Sequence, residues 1–384
     1  MWNTAKTVTL SESRRSFLAT TAVEACTASR SGARLLCGHL FLGLAWPPAN
    51  VVLNSHPIPA IFVEPKREAH TMQRREFLAL AGAAALAPAG ARAVPIPGPP
   101  SPAREIRPME LGLLISPFHA PEQTIRRVHD LGFKNCFLSL DSYLGNFTPA
   151  AATQLRELLA RYEVRATTVE VVGPPPLVWN FLRGPATIGL VPRTTRAARM
   201  NALRQVSDFA RLLDVDLVQT HCGFIPEDPA NPLYAEAVEA IRTVARHCAG
   251  NGQGFLMETG QETPTTMARM LRDVALPNLG VGLDTANLIL YGKANPVDAI
   301  DILGPYIRAM HAKDGRWPTD PSKLGEEVLI GKGLVDFKQV LTKLHRLGYT
   351  GVVTIERETE GPQQVEDVRQ EKRYLEAILQ QVTA

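Results

Sequence analysis

The sequence contains few cysteines, and their arrangement excludes two common ways of stabilising a fold. Only five occur in 384 residues, and Cys26 and Cys37 lie in an N-terminal region that differs in pattern from the rest. The other three, Cys136, Cys222 and Cys248, are an odd number and form no C-x-x-C pair. The sequence therefore indicates neither a disulfide framework nor a structural zinc site, and Cys222 is expected to be a packed core thiol.

The larger part of the chain also lacks an excess of positive charge. The whole sequence has a formal charge of +3. Residues 1–93 hold ten Lys or Arg and five Asp or Glu, which leaves 31 basic and 33 acidic residues in the remainder, a formal charge of −2. A protein that binds nucleic acid is expected to present a broad cationic surface, so nucleic acid is not expected as a partner.

Long apolar runs are scarce as well. The uncharged stretch Ala79–Gly90 is too short to cross a bilayer, so no stable membrane insertion is expected. It follows Arg74-Arg75-Glu-Phe77-Leu78 and precedes Ala91-Arg92-Ala93, the order of an export signal with a small-residue cleavage site. Paired arginines before Phe-Leu indicate the twin-arginine route. Residues 72–93 are therefore predicted to be a twin-arginine signal peptide, and the mature protein is expected to be periplasmic or otherwise exported.

The segments on either side of this signal are not expected to contribute to the fold. Residues 1–71 lack sustained helical or strand periodicity. We interpret them as an upstream extension from a misplaced start codon, with Met72 as the true start, or else as a longer signal or disordered leader. Residues 94–108 are rich in proline and are predicted to be a flexible or extended linker.

From residue 109 onwards, strand-like runs alternate with amphipathic helical patterns. This alternation predicts a parallel sheet, and eight strand candidates over residues 109–384 predict a single closed (β/α)8 TIM barrel. A doubly wound open sheet is the alternative, but no Gly-x-Gly-x-x-Gly follows any strand candidate. The strand candidates are Glu110–Ile115, Asn135–Leu140, Arg165–Val171, Leu217–His221, Gly254–Glu258, Gly280–Asp284, Arg308–His311 and Val352–Glu356.

Polar residues end the last four strand candidates: Glu258, Asp284, His311 and Glu356, at intervals of 26, 27 and 45 residues. A parallel barrel gathers the carboxyl ends of its strands on one face. Three carboxylates and one imidazole there predict a site for one divalent metal ion. The imidazole favours Mn²⁺, with Mg²⁺, Co²⁺ and Zn²⁺ as alternatives. Each residue taken singly is more simply read as a cap, an ion pair or a solvated group.

Several motifs carry a family resemblance. They are Met257–Thr263, Gly282–Leu288, His311–Gly315, Leu324–Val328, Gly331–Phe337 and Thr354–Glu358, with a weaker match at Gln219–Phe224. Residues 109–384 resemble the xylose isomerase-like barrels, in the branch of sugar phosphate isomerases and epimerases, whose relatives include tagatose and psicose 3-epimerases, inosose dehydratases and hydroxypyruvate isomerases. The resemblance implies that the four residues bind one metal ion and that Glu258 and Glu356 exchange protons with substrate carbon through an enediolate. Asn287 departs from the sugar epimerases, which often carry histidine there.

Further candidates lie at strand ends or in two long connections, Gly173–Arg193 and Asp314–Gly333, which are candidate substrate walls. His221, at the end of the fourth strand candidate, is a candidate acid/base or substrate ligand. Lys313 shares strand parity with His311, so its side chain is expected to point to the same face. The candidate substrate-binding residues are Lys313, Arg316, Gln261, Asn287, Glu358 and Trp317, with Trp179 and His119 as weaker candidates.

These features predict a metal-dependent isomerase or epimerase of a sugar or keto-sugar, which removes a proton next to a metal-bound carbonyl. A lyase or dehydratase is the main alternative, since an enediolate with a neighbouring leaving group can eliminate it. A non-catalytic sugar-binding protein is a further alternative. The expected partner is a small carbohydrate, and a homo-oligomer is left open.

Overall fold

The computed structural model describes residues 109–383. The upstream segment (1–71), the predicted export signal (72–93) and the predicted linker (94–108) lie outside the described residues. Within residues 109–383, no helix is both long and apolar enough to span a membrane.

Eight parallel strands close into a barrel, which confirms the predicted fold. Strands are numbered along the chain: β1 (Glu110–Ile115), β2 (Asn135–Ser139), β3 (Arg165–Glu170), β4 (Leu217–Thr220), β5 (Gly254–Glu258), β6 (Leu279–Asp284), β7 (Ile307–Ala312), β8 (Asp314–Arg316), β9 (Glu326–Val328) and β10 (Val352–Ile355). Around the barrel the order is β1-β10-β7-β6-β5-β4-β3-β2, so β10 closes the ring between β7 and β1. The short strands β8 and β9 form a separate antiparallel ribbon.

Helices surround the barrel. They are α1 (Pro121–Asp130), α2 (Pro149–Arg161), α3 (Gly184–Thr187), α4 (Arg193–Leu212), α5 (Pro232–Gly250), α6 (Pro264–Val274), α7 (Thr285–Leu290), α8 (Pro296–Leu303), α9 (Phe337–Arg346) and α10 (Gly361–Thr383). Five of them begin with proline, whose fixed φ and missing N–H suit the first helical position. Thr148, Asn231 and Thr263 precede three of these prolines, and their side chains accept the hydrogen bonds that start the helices.

The two faces of the barrel strands serve different purposes. Outward-facing residues such as Val169, Val281 and Met310 pack against the helices in the main hydrophobic core. Inside the barrel, Phe137 and Leu256 form a smaller apolar cluster with Ala309. In the same strands, the inward-facing residues nearer the carboxyl ends are polar. The barrel interior is therefore filled with apolar side chains towards the amino ends of the strands and with polar side chains towards their carboxyl ends. This polar layer is the candidate site.

The predicted barrel strands match the observed ones to within one residue at each end. The predicted substrate walls contain elements that were not foreseen, namely α3 in the first and the β8–β9 ribbon in the second. Elements of three or four residues are too short to show a helical or alternating pattern of hydrophobicity. Cys136, Cys222 and Cys248 are buried free thiols, and burial raises the pKa of Cys222 well above its usual value.

Candidate active site

Strand register brings the four candidate metal ligands to one level of the barrel. Asp284 and His311 are directly paired across β6 and β7. Glu258 ends β5 beside Gly282, and the amide of Gln219 occupies the space that a Cβ on Gly282 would take. Glu356 follows β10, and its backbone N–H donates to the carbonyl of Ala312 over 3.1 Å.

The four side chains offer ligand atoms that all lie within 4.8 Å of one another. His311 Nδ1 lies 3.4 Å from Glu258 Oε1, 3.0 Å from Glu356 Oε2 and 4.0 Å from Asp284 Oδ2. Several of these atoms are buried without a hydrogen-bond partner, namely Asp284 Oδ2, Glu356 Oε2 and both nitrogens of His311. Buried polar atoms are normally satisfied, and three carboxylates with one imidazole suit a divalent cation. The residues present therefore fit a metal ion.

Two of the three carboxylates, Asp284 and Glu258, are also held by residues outside the quartet. Asp284 caps α7, since its Oδ1 accepts the N–H of Asn287 over 2.7 Å. Glu258 Oε2 accepts from Gln219 Nε2 at 3.1 Å and lies 3.2 Å from His221 Nε2. Asn287 Nδ2 donates to Glu258 Oε1 over 3.3 Å. The outer groups occupy one oxygen of Asp284 and orient Glu258, as expected of the residues that surround metal ligands.

Lys313 supplies the positive charge at the centre of the site. Its side chain is 2% exposed, and its Nζ lies 3.3 Å from Asp284 Oδ2, 3.3 Å from Glu356 Oε1 and 2.8 Å from Glu358 Oε1. Lys313 and His311 thus point to the same face, as the strand parity predicts. A buried ammonium among three carboxylates offsets part of their mutual repulsion.

The crowded charges shift the pKa values of the ligands in opposite directions. Burial, together with the charges of Glu356 and Glu258, raises the pKa of Asp284 well above its usual value, and Lys313 offsets this only in part. Burial alone would raise the pKa of Glu356, but Lys313 and His311 outweigh it and hold that pKa well below its usual range. Burial would lower the pKa of His311, but Glu356 and Glu258 raise it well above its usual value.

The remaining candidates divide into residues near the quartet and residues away from it. Gln261 Nε2 lies 3.0 Å from His221 Nδ1, so Gln261 reaches the site through that histidine. The ring of Trp179 meets the ring of His221 edge-on at 5.0 Å. Arg316 is the last residue of β8 in the ribbon, and Trp317, the residue after it, is 43% exposed.

The last two candidates lie at the rim of the site or in a surface position. Glu358 is largely exposed and closes the outer side of Lys313. His119 is exposed after β1 and packs against its neighbour Phe118. The structure therefore brings His221, Lys313, Gln261, Asn287 and Glu358 to the quartet or its immediate partners.

Three residues that the sequence analysis did not single out belong to this region. Glu170 ends β3 and is 8% exposed, and burial together with the charges of Glu258 and Glu356 raises its pKa well above the usual value. Gln219 lies across the barrel over Gly282, where an added Cβ would meet its amide oxygen. Glu262 is buried with both carboxylate oxygens unpartnered. Glu170 ends the observed β3, as three members of the quartet end or directly follow their strands. Gln219 is two residues before His221, so the two side chains point to the same face of the sheet.

The connection that carries Arg316 and Trp317 is anchored at both of its ends. Asp314 is fully buried, and its carboxylate accepts backbone N–H groups of Gly315, Gly331, Gly333 and Val335 over 2.8–3.0 Å. Farther along, Glu327 of β9 pairs with Arg357, the residue next to Glu356, over 2.6 Å. The ribbon is therefore tied to the strand end that carries a metal ligand.

The fold and the site together identify the class of protein. Residues 125–378 match the model of the xylose isomerase-like TIM barrel family. The chain belongs to this family, as the motifs in the sequence imply.

Individual relatives agree with this assignment. A xylose isomerase domain protein from Planctomyces limnophilus is 30% identical, with a TM-score of 0.67, and the match covers 72% of this chain and 99% of that one. An uncharacterized protein of Methanocaldococcus jannaschii is 27% identical over 245 residues, which are 61% of this chain and 76% of that protein. A D-tagatose 3-epimerase-like protein shares the fold at 23% identity, with a TM-score of 0.57 over 72% of this chain and 98% of that one.

The ligand set makes metal binding testable with Mn²⁺ and the full-length protein. We expect about one ion per chain, and Asp284→Ala or His311→Ala should each remove most of it, because one lost ligand in four breaks the shell. Protons compete with the ion for the ligand atoms, and the pKa values of Asp284 and His311 both lie above their usual values. Affinity should therefore weaken as the pH falls, and calorimetric titration at several pH values measures this. Asp298→Ala, an exposed change on α8, is the control, and unchanged Mn²⁺ content in both ligand variants would contradict the site.

Glu262 predicts a separate dependence of stability on pH. Burial raises its pKa to about 8 in the folded protein, whereas an unfolded glutamate titrates near 4.3. Between these values the folded state holds more protons, so the contribution of Glu262 to stability falls as the pH rises. Glu262→Gln should therefore gain roughly 1–3 kcal/mol over the native protein above that window and much less below it. Urea unfolding measures the difference, exposed Glu157→Gln on α2 is the control, and a pH-independent difference would refute this reading.

Proposed function

We propose that this protein is a divalent-metal-dependent isomerase or epimerase that acts on a sugar or keto-sugar. The observation that carries this proposal is the pair of glutamates next to His311, at 3.4 Å and 3.0 Å from its Nδ1. Two carboxylates at one site supply a proton acceptor on each side of a substrate carbon. This is what inversion or proton transfer next to a carbonyl requires.

The charges around the two glutamates support this role. A divalent ion in the quartet would polarise a substrate carbonyl and make the neighbouring C–H more acidic. Glu356 is held ionised by Lys313 and His311, since its pKa lies well below the usual range. Glu258 also has a lowered pKa, because His221 and His311 outweigh the effect of burial. Both glutamates are therefore in the basic form that accepts a proton.

A lyase or dehydratase is the second candidate, and the position of His221 favours it. Elimination needs an acid that protonates the departing oxygen, in addition to the base that removes the carbon proton. His221 lies 3.2 Å from Glu258 and beside Trp179, outside the quartet, where such an acid would stand. Solved barrels of the same fold include an L-ribulose 3-epimerase and a probable 3-DHS dehydratase. The fold itself is compatible with both outcomes.

The substrate class and location are parts of the same proposal. A small carbohydrate is the proposed partner, and Mn²⁺ is the proposed metal, with Mg²⁺, Co²⁺ and Zn²⁺ as alternatives. Export by the twin-arginine route stays a prediction, because it depends on Arg74 and Arg75, which lie outside the described residues.

The two glutamates can be tested by isosteric substitution. Glu258→Gln and Glu356→Gln each remove a proton-accepting charge while keeping the size of the side chain. Turnover of an accepted keto-sugar should fall by about two decades or more in each variant. Steady-state kinetics measure the loss, with Glu157→Gln on the surface of α2 as the control. Near-normal turnover in both variants would assign the proton transfer to another group, with His221 as the first alternative.

Solvent deuterium separates isomerisation from elimination. Both reactions begin with removal of a proton from carbon, so metal content and glutamate variants do not distinguish them. In deuterated water an isomerase or epimerase places deuterium on the substrate carbon and keeps every hydroxyl and glycosidic bond. A lyase releases water or an aglycone and leaves an unsaturated keto-sugar that absorbs in the ultraviolet. Mass spectrometry and absorbance on a panel of keto-sugars and 3-keto-glycosides should show deuterated epimer, and unsaturated product without any epimer would overturn the first choice.

A further inference from the structure

The first long connection after β3, which we call the wall segment (residues 173–192), lies against the candidate site. The ring of Trp179 in this segment meets the imidazole of His221 at 5.0 Å. Farther along, Phe181 packs edge-on against Tyr291 at 6.4 Å. The segment therefore presents aromatic side chains on the side of the site occupied by His221 and Tyr291.

A half-buried carboxylate, that of Asp141, holds the beginning of the wall segment. Asp141, just after β2, accepts the backbone N–H of Val172 over 3.0 Å and that of Gly173 over 2.9 Å. Hydrogen bonds to an ionised acceptor are stronger than those between neutral groups. Asp141 thus fixes the direction in which the chain leaves β3.

A buried arginine holds the rest of the segment. Arg199 of α4 is 1% exposed, and its guanidinium donates to backbone carbonyls of four wall residues. The acceptors are the carbonyls of Gly189 at 3.0 Å, Pro176 at 2.9 Å, Pro174 at 3.4 Å and Thr187, through a shorter contact. Among the described residues no carboxylate lies within ion-pair distance of Arg199. These four hydrogen bonds hold the backbone of the wall segment in place, and they partly offset the free-energy cost of burying a cation.

The end of the wall segment is pressed against the end of β4. The N–H of Leu190 donates to the carbonyl of Cys222 over 2.8 Å. A Cβ on Gly189 would lie 2.2 Å from the Cys222 carbonyl, and one on Gly223 would lie 2.3 Å from the Ile188 carbonyl. Both glycines have positive φ, so no other residue fits either position without displacement. The wall is therefore seated directly on the residues that follow His221.

We propose that Arg199 and Asp141 are positioning residues that clamp the wall segment, so that Trp179 forms a preformed stacking surface beside His221 for the C–H face of a keto-sugar. The anion binds the N–H groups and the cation binds the carbonyl groups of the same stretch of chain, so the peptide dipoles lie between opposite charges. Neither residue belongs to the quartet or touches its ligands in the hydrogen bonds described. The proposal concerns the substrate side of the site and rests on the proposed function only for the identity of the ligand.

The clamp can be tested without any substrate. The chain has four tryptophans, so replacing Trp2, Trp46 and Trp317 by Phe in the full-length protein leaves Trp179 as the single tryptophan, which is excited selectively at wavelengths that tyrosine does not absorb. Arg199→Met in this background should lower the fluorescence anisotropy of Trp179 and raise its quenching by acrylamide about twofold, because a released loop moves on the nanosecond timescale. Arg211→Met is the matched control, since Arg211 is exposed and lies in the last turn of the same helix, at the end away from the wall segment.

A second variant covers the case in which Arg199→Met does not fold. Asp141→Asn keeps one oxygen acceptor and the side-chain size but removes the charge, so it should move the anisotropy in the same direction by a smaller amount. Circular dichroism and cooperative unfolding identify the folded variants. Unchanged anisotropy and quenching in every folded variant of Arg199 and Asp141 would overturn the proposal.

Kinetic measurements with a substrate distinguish a failure of the clamp from a failure of the proposed function. In otherwise native protein, Arg199→Met and Trp179→Ala should each raise KM for an accepted keto-sugar about three- to tenfold, the range that one aromatic contact supplies. kcat and Mn²⁺ content should stay near the native values, because the quartet is untouched. A loss of kcat with unchanged KM would overturn the stacking role. If no member of the keto-sugar panel is turned over while Trp179 anisotropy still falls in the Arg199 variant, the clamp stands and the proposed reaction fails.

Discussion

The concentration of negative charge inside the barrel is the constraint on which the rest of the site depends. Glu258, Asp284 and Glu356 converge on His311 with ligand atoms within 4.8 Å of one another. Such a group is stable only if cations stand among the carboxylates. Lys313 supplies one such charge from within the protein, because its Nζ lies 3.3 Å from both Asp284 and Glu356. A divalent ion in the quartet would supply further positive charge, and protons would compete with it for the ligand atoms.

Buried and half-buried charges also organise the two long connections above the barrel. Asp314 binds four backbone N–H groups of its connection, and Asp141 binds two at the start of the other. Arg199 binds backbone carbonyls, and Arg357 pairs with Glu327 of the ribbon. Loops of this length contain many backbone polar groups that a barrel core cannot satisfy. Charged side chains from neighbouring elements form hydrogen bonds with these backbone groups, and so fix the two long connections to the barrel.

The sequence predicted the barrel and the convergence of four polar side chains because both depend on regular spacing. Strand ends recur with the βα unit, so Glu258, Asp284, His311 and Glu356 are visible as polar endings of apolar runs. Glu170 was missed by the same rule, because the predicted strand Arg165–Val171 runs one residue beyond the observed end of β3. Arg199 could not be found this way, because its partners are backbone carbonyls of an irregular loop, which leave no pattern in the residue types. The β8–β9 ribbon is equally invisible, since three-residue strands show no alternation.

The site is asymmetric, and this asymmetry limits how a substrate approaches. On one side Lys313 and the partly exposed Glu358 offer charged hydrogen-bonding groups. On the opposite side of Glu258, His221 and Trp179 offer one imidazole and an aromatic surface. A sugar has polar hydroxyl edges and less polar C–H faces, so it matches such a pair of walls in few orientations. In the proposed reaction the walls would orient the substrate and the quartet would supply the charge for proton transfer, so the two tasks would belong to separately anchored parts of the structure.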